Sequence, residues 1–409
     1  MDPNVDYLAA SSWDHTMHER MKWLRENEPV YWSETSQLWV LSKYADVAYV
    51  SKNNDLFCSG FGVRPGNPVK LGLIDEDEPR HTRLRRLINR GFTPRMVKKL
   101  EQVFLELTTE AIDAIAKKGV CDVVDDIAVP LPLLLIAEMI GIRKQDRERF
   151  HHWSDSMMAA EGNLGDPEIV QKASQSFMDY STYLMEIIED RRANPRDDLV
   201  SILVGAKDQG LLTVFEGTHS PHRASDEEYV KLANDELIKI LVVLLVAGNE
   251  TTRNGISGSI QLLIEHPDVR QQLQADPSKI PAAVEEMLRL VSPVHSFSRT
   301  ATRDTELRGK KIKKGDVVYM LYPSANRDAD EFEDPDTFKI DRNPHHLAFG
   351  IGNHFCMGAN LARMELRVAI AEVLRRLPDM EYTAAGPEMV GSPLVRTCKH
   401  MYVKFTPEA

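Results

Sequence analysis

Residues 346–363 read His-Leu-Ala-Phe-Gly-Ile-Gly-Asn-His-Phe-Cys-Met-Gly-Ala-Asn-Leu-Ala-Arg. One cysteine, Cys356, stands near the end of the glycine-punctuated part, and residues 359–377 after it are rich in Ala, Leu, Arg and Glu. Because those residue types favour a helix, Cys356 is predicted to lie just before a helix N-terminus. Backbone N–H groups and the helix dipole at such a position favour a thiolate over a thiol.

The residues around the cysteine favour a protected, anionic sulfur that faces a large planar group. Gly350 and Gly352 can bring their backbone N–H groups close to the sulfur, and Gly358 leaves open space at the start of the helix. Phe349 and Phe355 can shield the sulfur from water. Two other interpretations stay open at this point. A lone cysteine is most often a small buried hydrophobic residue, or it can be a nucleophile, although the local signatures of cysteine proteases are absent.

The composition limits the possible class of protein. The chain has 409 residues, 43% of them hydrophobic, which is enough for a large core. A formal net charge of -12 argues against a nucleic-acid-binding protein. The four cysteines have neither disulfide-like nor zinc-like spacing, which suits a reducing compartment. We find no signal segment, no apolar run long enough to span a membrane and no linker. We therefore expect a cytoplasmic protein with one domain over residues 1–409.

The rest of the pattern predicts many helices and a few short strands. Two strands joined by a polar turn are expected within residues 30–41. The polar segment 210–225 is interpreted as a loop rather than a metal site. Other expected elements are helices at 13–27 and 126–141, a hairpin at 310–319, and edge strands at 380–383 and 401–405.

A second unusual stretch lies inside a long apolar helix predicted over residues 235–266. It reads Ala-Gly-Asn-Glu-Thr-Thr from residue 247 to residue 252. A mid-helix glycine such as Gly248 costs about 1 kcal/mol relative to alanine, and a threonine can bond a backbone carbonyl and bend the helix. Such conflicts with local propensity are expected at functional sites, although an ordinary kinked core helix has the same pattern.

The full pattern Phe-Gly-x-Gly-x-His-x-Cys-x-Gly at residues 349–358 resembles the haem-binding loop of the cytochrome P450 family. The resemblance implies a mainly α fold with a small β-rich lobe, shaped as a triangular prism. Haem b would lie between the central helix and the helix after the cysteine loop. It also implies that Cys356 is the axial thiolate ligand of the haem iron.

The same resemblance implies the other cofactor contacts. His81 and Arg85 are four residues apart and share one helix face, which by itself fits either an anion site or a solvated basic surface. In the family, such a pair holds a haem propionate. Glu250 and Thr251 match the family's proton-delivering pair. The implied cofactor-binding residues are His81, Arg85, Ala247, Gly248, Arg299, Phe349, Gly350, His354, Cys356 and Gly358, with an oxygen-binding groove beside Ala247 and Gly248.

Two further sets complete the predicted site. Glu286, Arg289 and Arg342 match the family's structural triad, which supports the cysteine loop from behind. Residues 57–74 form a long Gly/Pro-rich loop, and long loops in compact domains tend to be functional. The predicted substrate contacts are Phe61, Val63, Val243, Val246, Val294, Phe297 and Leu394.

The resemblance implies a monooxygenase that hydroxylates a hydrophobic small molecule with O2 and two electrons. Electrons are expected from a ferredoxin and its reductase, because the chain has no flavin or NAD(P) fingerprint. The basic residues Arg83, Arg86 and Arg90 are expected to dock such an acidic donor. The segments 91–95 and 247–254 resemble the bacterial branch that hydroxylates steroid side chains and branched lipids; terpenoids and fatty acids are alternative substrates.

Two other functions stay open from the sequence. One is a peroxide-driven haem peroxygenase, although such members of the family tend to lack the acid–alcohol pair that Glu250 and Thr251 supply here. The other is a non-catalytic haem-binding sensor or carrier, which needs neither a proton relay nor an apolar pocket. No nucleic-acid partner and no membrane span are expected.

Overall fold

The computed structural model describes residues 2–408 except residues 68, 90, 91, 93, 161–162, 209–212, 216–228, 232–233 and 384–385. The polar segment 210–225 therefore lies outside the described residues, apart from a short strand at 213–215. Arg90 also lies outside them.

Helices make up most of the described chain. Their bounds are α1 Met17–Asn27, α2 Tyr44–Lys52, α3 Arg80–Ile88, α4 Pro94–Ala116, α5 Pro130–Ile140, α6 Arg147–Ala159, α7 Pro167–Ala193, α8 Leu199–Asp208, α9 Asn234–Glu265, α10 Pro267–Ala275, α11 Ile280–Val291, α12 Tyr322–Ala325 and α13 Ala359–Arg376.

The strands are short and form small sheets. Their bounds are β1 Val30–Ser33, β2 Leu38–Leu41, β3 Phe57–Cys58, β4 Val120–Asp122, β5 Thr213–Phe215, β6 Tyr229–Lys231, β7 Ser296–Ala301, β8 Thr305–Leu307, β9 Lys310–Ile312, β10 Val317–Leu321, β11 Glu381–Tyr382, β12 Glu388–Val390, β13 Thr397–His400 and β14 Tyr402–Lys404.

Helix α9 runs through the core and, at 32 residues, is the longest helix in the described part of the chain. Its side chains Leu241, Leu245, Ile256 and Ile260 are almost fully buried. It packs against α5, α11 and α13. Since α13 begins directly after the cysteine loop, this packing brings the loop and the middle of α9 to the same part of the core.

The largest sheet has the strand order β1-β2-β10-β7-β3, in which only the β2–β10 pair is parallel. The predicted β1–β2 turn is present. The hairpin expected at 310–319 is wrong, because β9 pairs with β8 and not with β10. Arg308 and Gly309 both have positive φ angles, 49° and 77°, and that conformation closes a tight hairpin between β8 and β9. Strand β10 instead enters the large sheet between β2 and β7.

Three other expected elements differ from the structure. The helix expected at 126–141 is instead two elements, a π-helical turn at Val124–Ala128 and then α5. Pro130 stands at the first position of α5, where a proline favours the start of a new helix. The helix expected at 13–27 begins only at Met17. The strand expected at the edge near 401–405 is β14, which lies between β11 and β4.

Candidate active site

The cysteine loop folds back on itself in front of α13. The backbone N–H of Cys356 donates to the carbonyl oxygen of Phe349 at 2.8 Å. Gly350 and Gly352 have φ angles of 66° and 79°, a region that side chains disfavour. A Cβ atom on Gly352 would lie 2.6 Å from the carbonyl oxygen of Ser51 at the end of α2. Glycine is therefore needed there both for the turn and for the close approach to α2.

The accessible part of the Cys356 side chain faces a deep cavity rather than bulk water. Burial raises the pKa of the thiol above its ordinary value, while the Gly358 N–H and the charges of Arg85 and Arg363 oppose that rise. The expected preference for a thiolate at the helix N-terminus is thus outweighed by burial.

The cavity separates the cysteine loop from the middle of α9. It encloses about 1670 Å³ of empty space, part of it open to solvent, and its accessible walls are mainly apolar. Most residues that the sequence singled out lie in its walls. They are Val63, His81, Arg85, Val243, Ala247, Gly248, Thr251, Val294, Phe297, Arg299, Phe349, Gly350, His354, Cys356 and Gly358.

Three predicted substrate contacts lie outside these walls. Phe61 is 76% exposed. Leu394 lies in a smaller, more open pocket that shares only Val63 with the cavity. Val246 is also outside the wall, because the α9 residues that line the cavity after Val243 include Ala247, Gly248 and Thr251 but not Val246. These three side chains therefore lie outside the walls of the cavity, and their contact with substrate stays a prediction.

Four basic side chains from three parts of the chain converge at one side of the cavity. His81 and Arg85 come from α3, Arg299 from β7, and His354 from the cysteine loop. The rings of His81 and His354 have centroids 4.1 Å apart. Burial lowers the pKa of His354 to about 2, helped by the charges of Arg299, His81 and Arg85. The Nε atom of Arg299 is buried and without a hydrogen-bond partner. This cluster fits an anionic group.

The unusual stretch of α9 reaches the cavity through Thr251. The Thr251 hydroxyl donates to the Ala247 carbonyl oxygen at 2.7 Å, as the bent-helix pattern predicts. A Cβ atom on Gly248 would lie 2.1 Å from Cδ1 of Ile136. Gly248 therefore also lets α9 pack closely on α5.

Glu250 is buried behind the cavity wall and points toward α6. Burial raises the pKa of its carboxyl to about 7; Arg253 opposes the rise and Asp155 adds to it. Arg253 Nη1 lies 3.0 Å from Glu250 Oε1 and 3.3 Å from Asp155 Oδ1 on α6. Neighbouring Asn249 donates to the Ser154 hydroxyl, also on α6, at 2.9 Å. The pKa of Glu250 thus lies near neutral pH because of burial and of charges on two helices.

Both arginines of the predicted triad contact Glu286, and Glu286 and Arg289 are fully buried. Arg289 donates from Nε and Nη2 to the two oxygens of Glu286, each at 2.7 Å, and Arg342 Nε donates to Glu286 Oε1 at 2.9 Å. Arg289 Nη1 also donates to the Asn326 carbonyl oxygen at 2.7 Å. The Asn326 side chain accepts the Leu347 N–H at 2.7 Å, so the triad is connected to the start of the cysteine loop.

A family model described as Cytochrome P450 matches residues 6–378. This chain belongs to the cytochrome P450 family. It is 36% identical over 410 residues to the steroid C26-monooxygenase of Mycolicibacterium smegmatis, covering 100% of this chain and 97% of that protein. It is 37% identical over 384 residues to the methyl-branched lipid omega-hydroxylase of Mycobacterium tuberculosis, covering 88% of this chain and 84% of that protein.

Solved structures agree with this assignment. The crystal structure of the cytochrome P450 CYP109E1 from Bacillus megaterium in complex with testosterone matches with a TM-score of 0.81 and 32% identity, covering 95% of this chain and 99% of that one. The predicted fold, mainly α with a small β-rich lobe, is confirmed, and the protein is a P450 monooxygenase. No helix in the described ranges is long and apolar enough to cross a membrane.

The P450 family implies a haem cofactor, and the cavity residues fit one. Cys356 offers a sulfur to the metal, the apolar walls suit a flat macrocycle, and the buried, unpartnered Nε of Arg299 marks a position for a carboxylate. The positive charges of Arg85 and Arg299, with the rings of His81 and His354 beside them, complement the negative charge of haem propionates. The donor set therefore agrees with the family.

Sequence reasoning missed two groups of this P450. Glu365 on α13 lies in the cavity wall, and burial raises the pKa of its carboxyl to about 8, opposed by a hydrogen bond with Thr252. Glu285 pairs with Arg363 at 2.8 Å through both of its oxygens. A carboxylate among the apolar residues of a predicted helix was the available signal in both cases, because such a residue needs a partner when it is buried.

Proposed function

We propose that this protein is a haem b–thiolate monooxygenase that hydroxylates a steroid or branched lipid, using O2 and two electrons from a ferredoxin-type donor. One observation carries the proposal: the Cys356 sulfur faces a mainly apolar cavity that is bounded on another side by the Ala247–Thr252 part of α9. The walls come from residues as far apart as Ser51 and Leu366. Residues 1–409 are accordingly proposed to act as one domain.

When bound, haem supplies the oxygen-activating chemistry, and the protein supplies ligation, orientation and proton control. Cys356 is proposed as the ligand of the iron, and His81, Arg85, Arg299 and His354 as the partners of the propionates. Charge-assisted hydrogen bonds of this kind are roughly twice as strong as neutral ones. The four basic groups would fix the orientation of the cofactor relative to α9.

Glu250 and Thr251 are proposed to control protons at the cavity wall. An acid is most effective in proton transfer when its pKa lies near the working pH, and the pKa of Glu250 is about 7. Thr251 lines the cavity with its hydroxyl bonded to the Ala247 carbonyl oxygen, while the buried Glu250 is not among the wall residues. On the proposed path, Thr251 is therefore the last protein group before the cavity, and Glu250 is the group that supplies it with protons.

The substrate class is proposed from the cavity and the relatives. Val243, Val294 and Phe297 give apolar walls above the cysteine loop, which suit a hydrocarbon skeleton. Two similar proteins are named for steroid C26 and methyl-branched lipid oxidation. A steroid or branched lipid is thus favoured over a terpenoid or a straight fatty acid.

The electron donor is proposed to dock on the outer face of α3. Arg83 and Arg86 are exposed there, on a chain with a net charge of -12. A local basic surface on an acidic protein steers an acidic partner such as a ferredoxin. A cytoplasmic location is part of the same proposal and agrees with the free state of all four cysteines.

An optical titration of the haem-loaded protein tests the proposal. We expect a low-to-high-spin shift with a steroid or a branched fatty acid, and a thiolate-type carbon monoxide band after reduction. A shift with a monoterpenoid alone would replace the substrate class. A Cys356→Ala protein that keeps the thiolate-type band would overturn the ligand assignment. Hydrogen peroxide that supports full turnover without the electron donor would favour the peroxygenase alternative.

A further inference from the structure

Four side chains form a compact group beside the cysteine loop, which we call the Glu285 cluster: Glu285, His346, Phe349 and Arg363. Arg363 donates from Nε and Nη2 to Oε1 and Oε2 of Glu285, both at 2.8 Å. Paired, parallel contacts of this kind fix the plane of a guanidinium as well as its position. Both side chains are largely buried, at 29% and 21% exposure, so water screens their charges only in part.

His346 lies beside the carboxylate of Glu285. Its Nδ1 accepts the backbone N–H of Ala348 at 3.2 Å, so in the neutral ring the proton is on Nε2. Nε2 lies 3.3 Å from Oε2 of Glu285. Burial alone would raise the pKa of Glu285, but His346 and Arg363 together hold it at about 2. Glu285 is therefore an anion at every working pH, and its position is fixed by the paired hydrogen bonds from Arg363.

The guanidinium of Arg363 lies over the ring of Phe349, with Cζ 4.6 Å from the centroid. Such a cation–π contact is favourable and directional. The same Phe349 lines the cavity and accepts the backbone N–H of Cys356. Phe349 belongs to the loop that carries the sulfur, so the guanidinium of Arg363 lies against that loop, and its charge acts on the Cys356 thiol.

We propose that Arg363 and Glu285 are positioning residues that set the reduction potential of the bound haem through opposed charges. The inference rests on the proposed ligation of haem by Cys356. One-electron reduction by a ferredoxin-type donor adds a negative charge at the iron. The nearby guanidinium stabilises that added charge, and the carboxylate destabilises it. The Phe349 contact keeps the cation against the loop.

The test compares reduction potentials of haem-loaded variants. Arg363→Gln should lower the potential, and Glu285→Gln should raise it. The double variant should lie between the two, close to the unchanged protein, because it removes two opposite charges together. Arg375→Gln is the matched control, because Arg375 lies on the same helix and pairs with Glu372 at the exposed surface. It should leave the potential unchanged.

Opposite shifts distinguish an effect of charge from a loosened loop. If Arg363→Gln and Glu285→Gln shift the potential in the same direction, or not at all, the inference is overturned. Arg363→Lys adds a second criterion, since it keeps the charge but not the paired contacts. Its potential should lie nearer to the unchanged protein than that of Arg363→Gln, and equal potentials for the two variants would also overturn the inference.

The carbon monoxide band separates this inference from the proposed function. If the unchanged, reduced protein lacks a thiolate-type band, ligation by Cys356 fails, and the proposed function fails with it. If the band is normal in every variant and the potentials do not diverge, only the role of the Glu285 cluster fails.

Discussion

Thr251 lines the cavity, and its hydroxyl donates to a carbonyl oxygen in the preceding turn of α9. Among the described residues of α9, no other hydroxyl side chain has both features. We expect Thr251→Ala to bind substrate normally but to release most electrons as hydrogen peroxide, with coupling reduced at least about tenfold, as loss of a proton-transfer group implies. Product formed per electron consumed measures this.

Ser259→Ala is a suitable control, because its hydroxyl also bonds a carbonyl oxygen one turn back on α9, at 2.7 Å, but is fully buried. A Thr251→Ala protein with full coupling would overturn the proposed role of Thr251 in proton delivery.

Glu250 has a pKa of about 7, above the ordinary value of 4.5, because of burial. Its protonated fraction falls as the pH rises through 7, so coupling should fall over the same range, and Glu250→Gln should abolish this dependence. Because the folded protein binds the proton more tightly than the unfolded chain, the stability contribution of this group is lost as the pH rises from about 4.5 to 7.

The charge of Asp155 provides a second test of the pH dependence expected from Glu250. Its charge raises the pKa of Glu250, whereas that of Arg253 lowers it. Asp155→Asn should therefore move the midpoint of the coupling profile to lower pH. A midpoint that moves to higher pH, or does not move, would contradict the assignment of the profile to Glu250.

The cysteine loop and α2 meet at Gly352, where a side chain would contact the Ser51 carbonyl oxygen. We expect Gly352→Ala to destabilise the protein by about 2–4 kcal/mol, from backbone strain plus the steric contact, and to weaken haem retention. Denaturant unfolding measures the first effect.

Gly315 supplies the matched control, since its φ of 91° is equally unfavourable to alanine but open space surrounds it. Gly315→Ala should cost only about 1–2 kcal/mol and leave haem retention unchanged. Equal losses for the two variants would show that the contact with α2 has no part in the effect.

Elements whose information is local could be predicted from the sequence. The long apolar helix α9 and the loop before α13 each carry their signal within one stretch, and Cys356 lies where its neighbours indicated. The position of β14 could not be predicted, because its partners β4 and β11 are chosen by tertiary packing. The face presented by Phe61 and the pairing of Glu285 with Arg363 depend on distant segments in the same way.

At the scale of the whole molecule, the acidic chain exposes basic residues on α3. We expect reduction by an acidic ferredoxin to slow at least about tenfold as ionic strength rises from low salt to about 0.5 M, because salt screens steering between charged surfaces. Stopped-flow reduction rates measure this.

Replacing Arg83 and Arg86 with glutamine should lower the rate at low salt and flatten its salt dependence. The exposed Lys99–Asp197 pair on another part of the surface offers a control in Lys99→Gln. If Lys99→Gln has the larger effect, the donor docks elsewhere than α3.

The cavity walls also bear on how the protein is made in the cell. The wall residues extend from Ser51 to Leu366, and the proposed ligand is among the last of them to leave the ribosome. A chain that begins to fold from its N-terminus during synthesis contains the earlier walls of the cavity before it contains α13 and the sulfur. On the proposed ligation by Cys356, haem capture follows the synthesis of the cysteine loop, and cells short of haem would accumulate chains with an open cavity instead of nascent chains stalled by a missing cofactor.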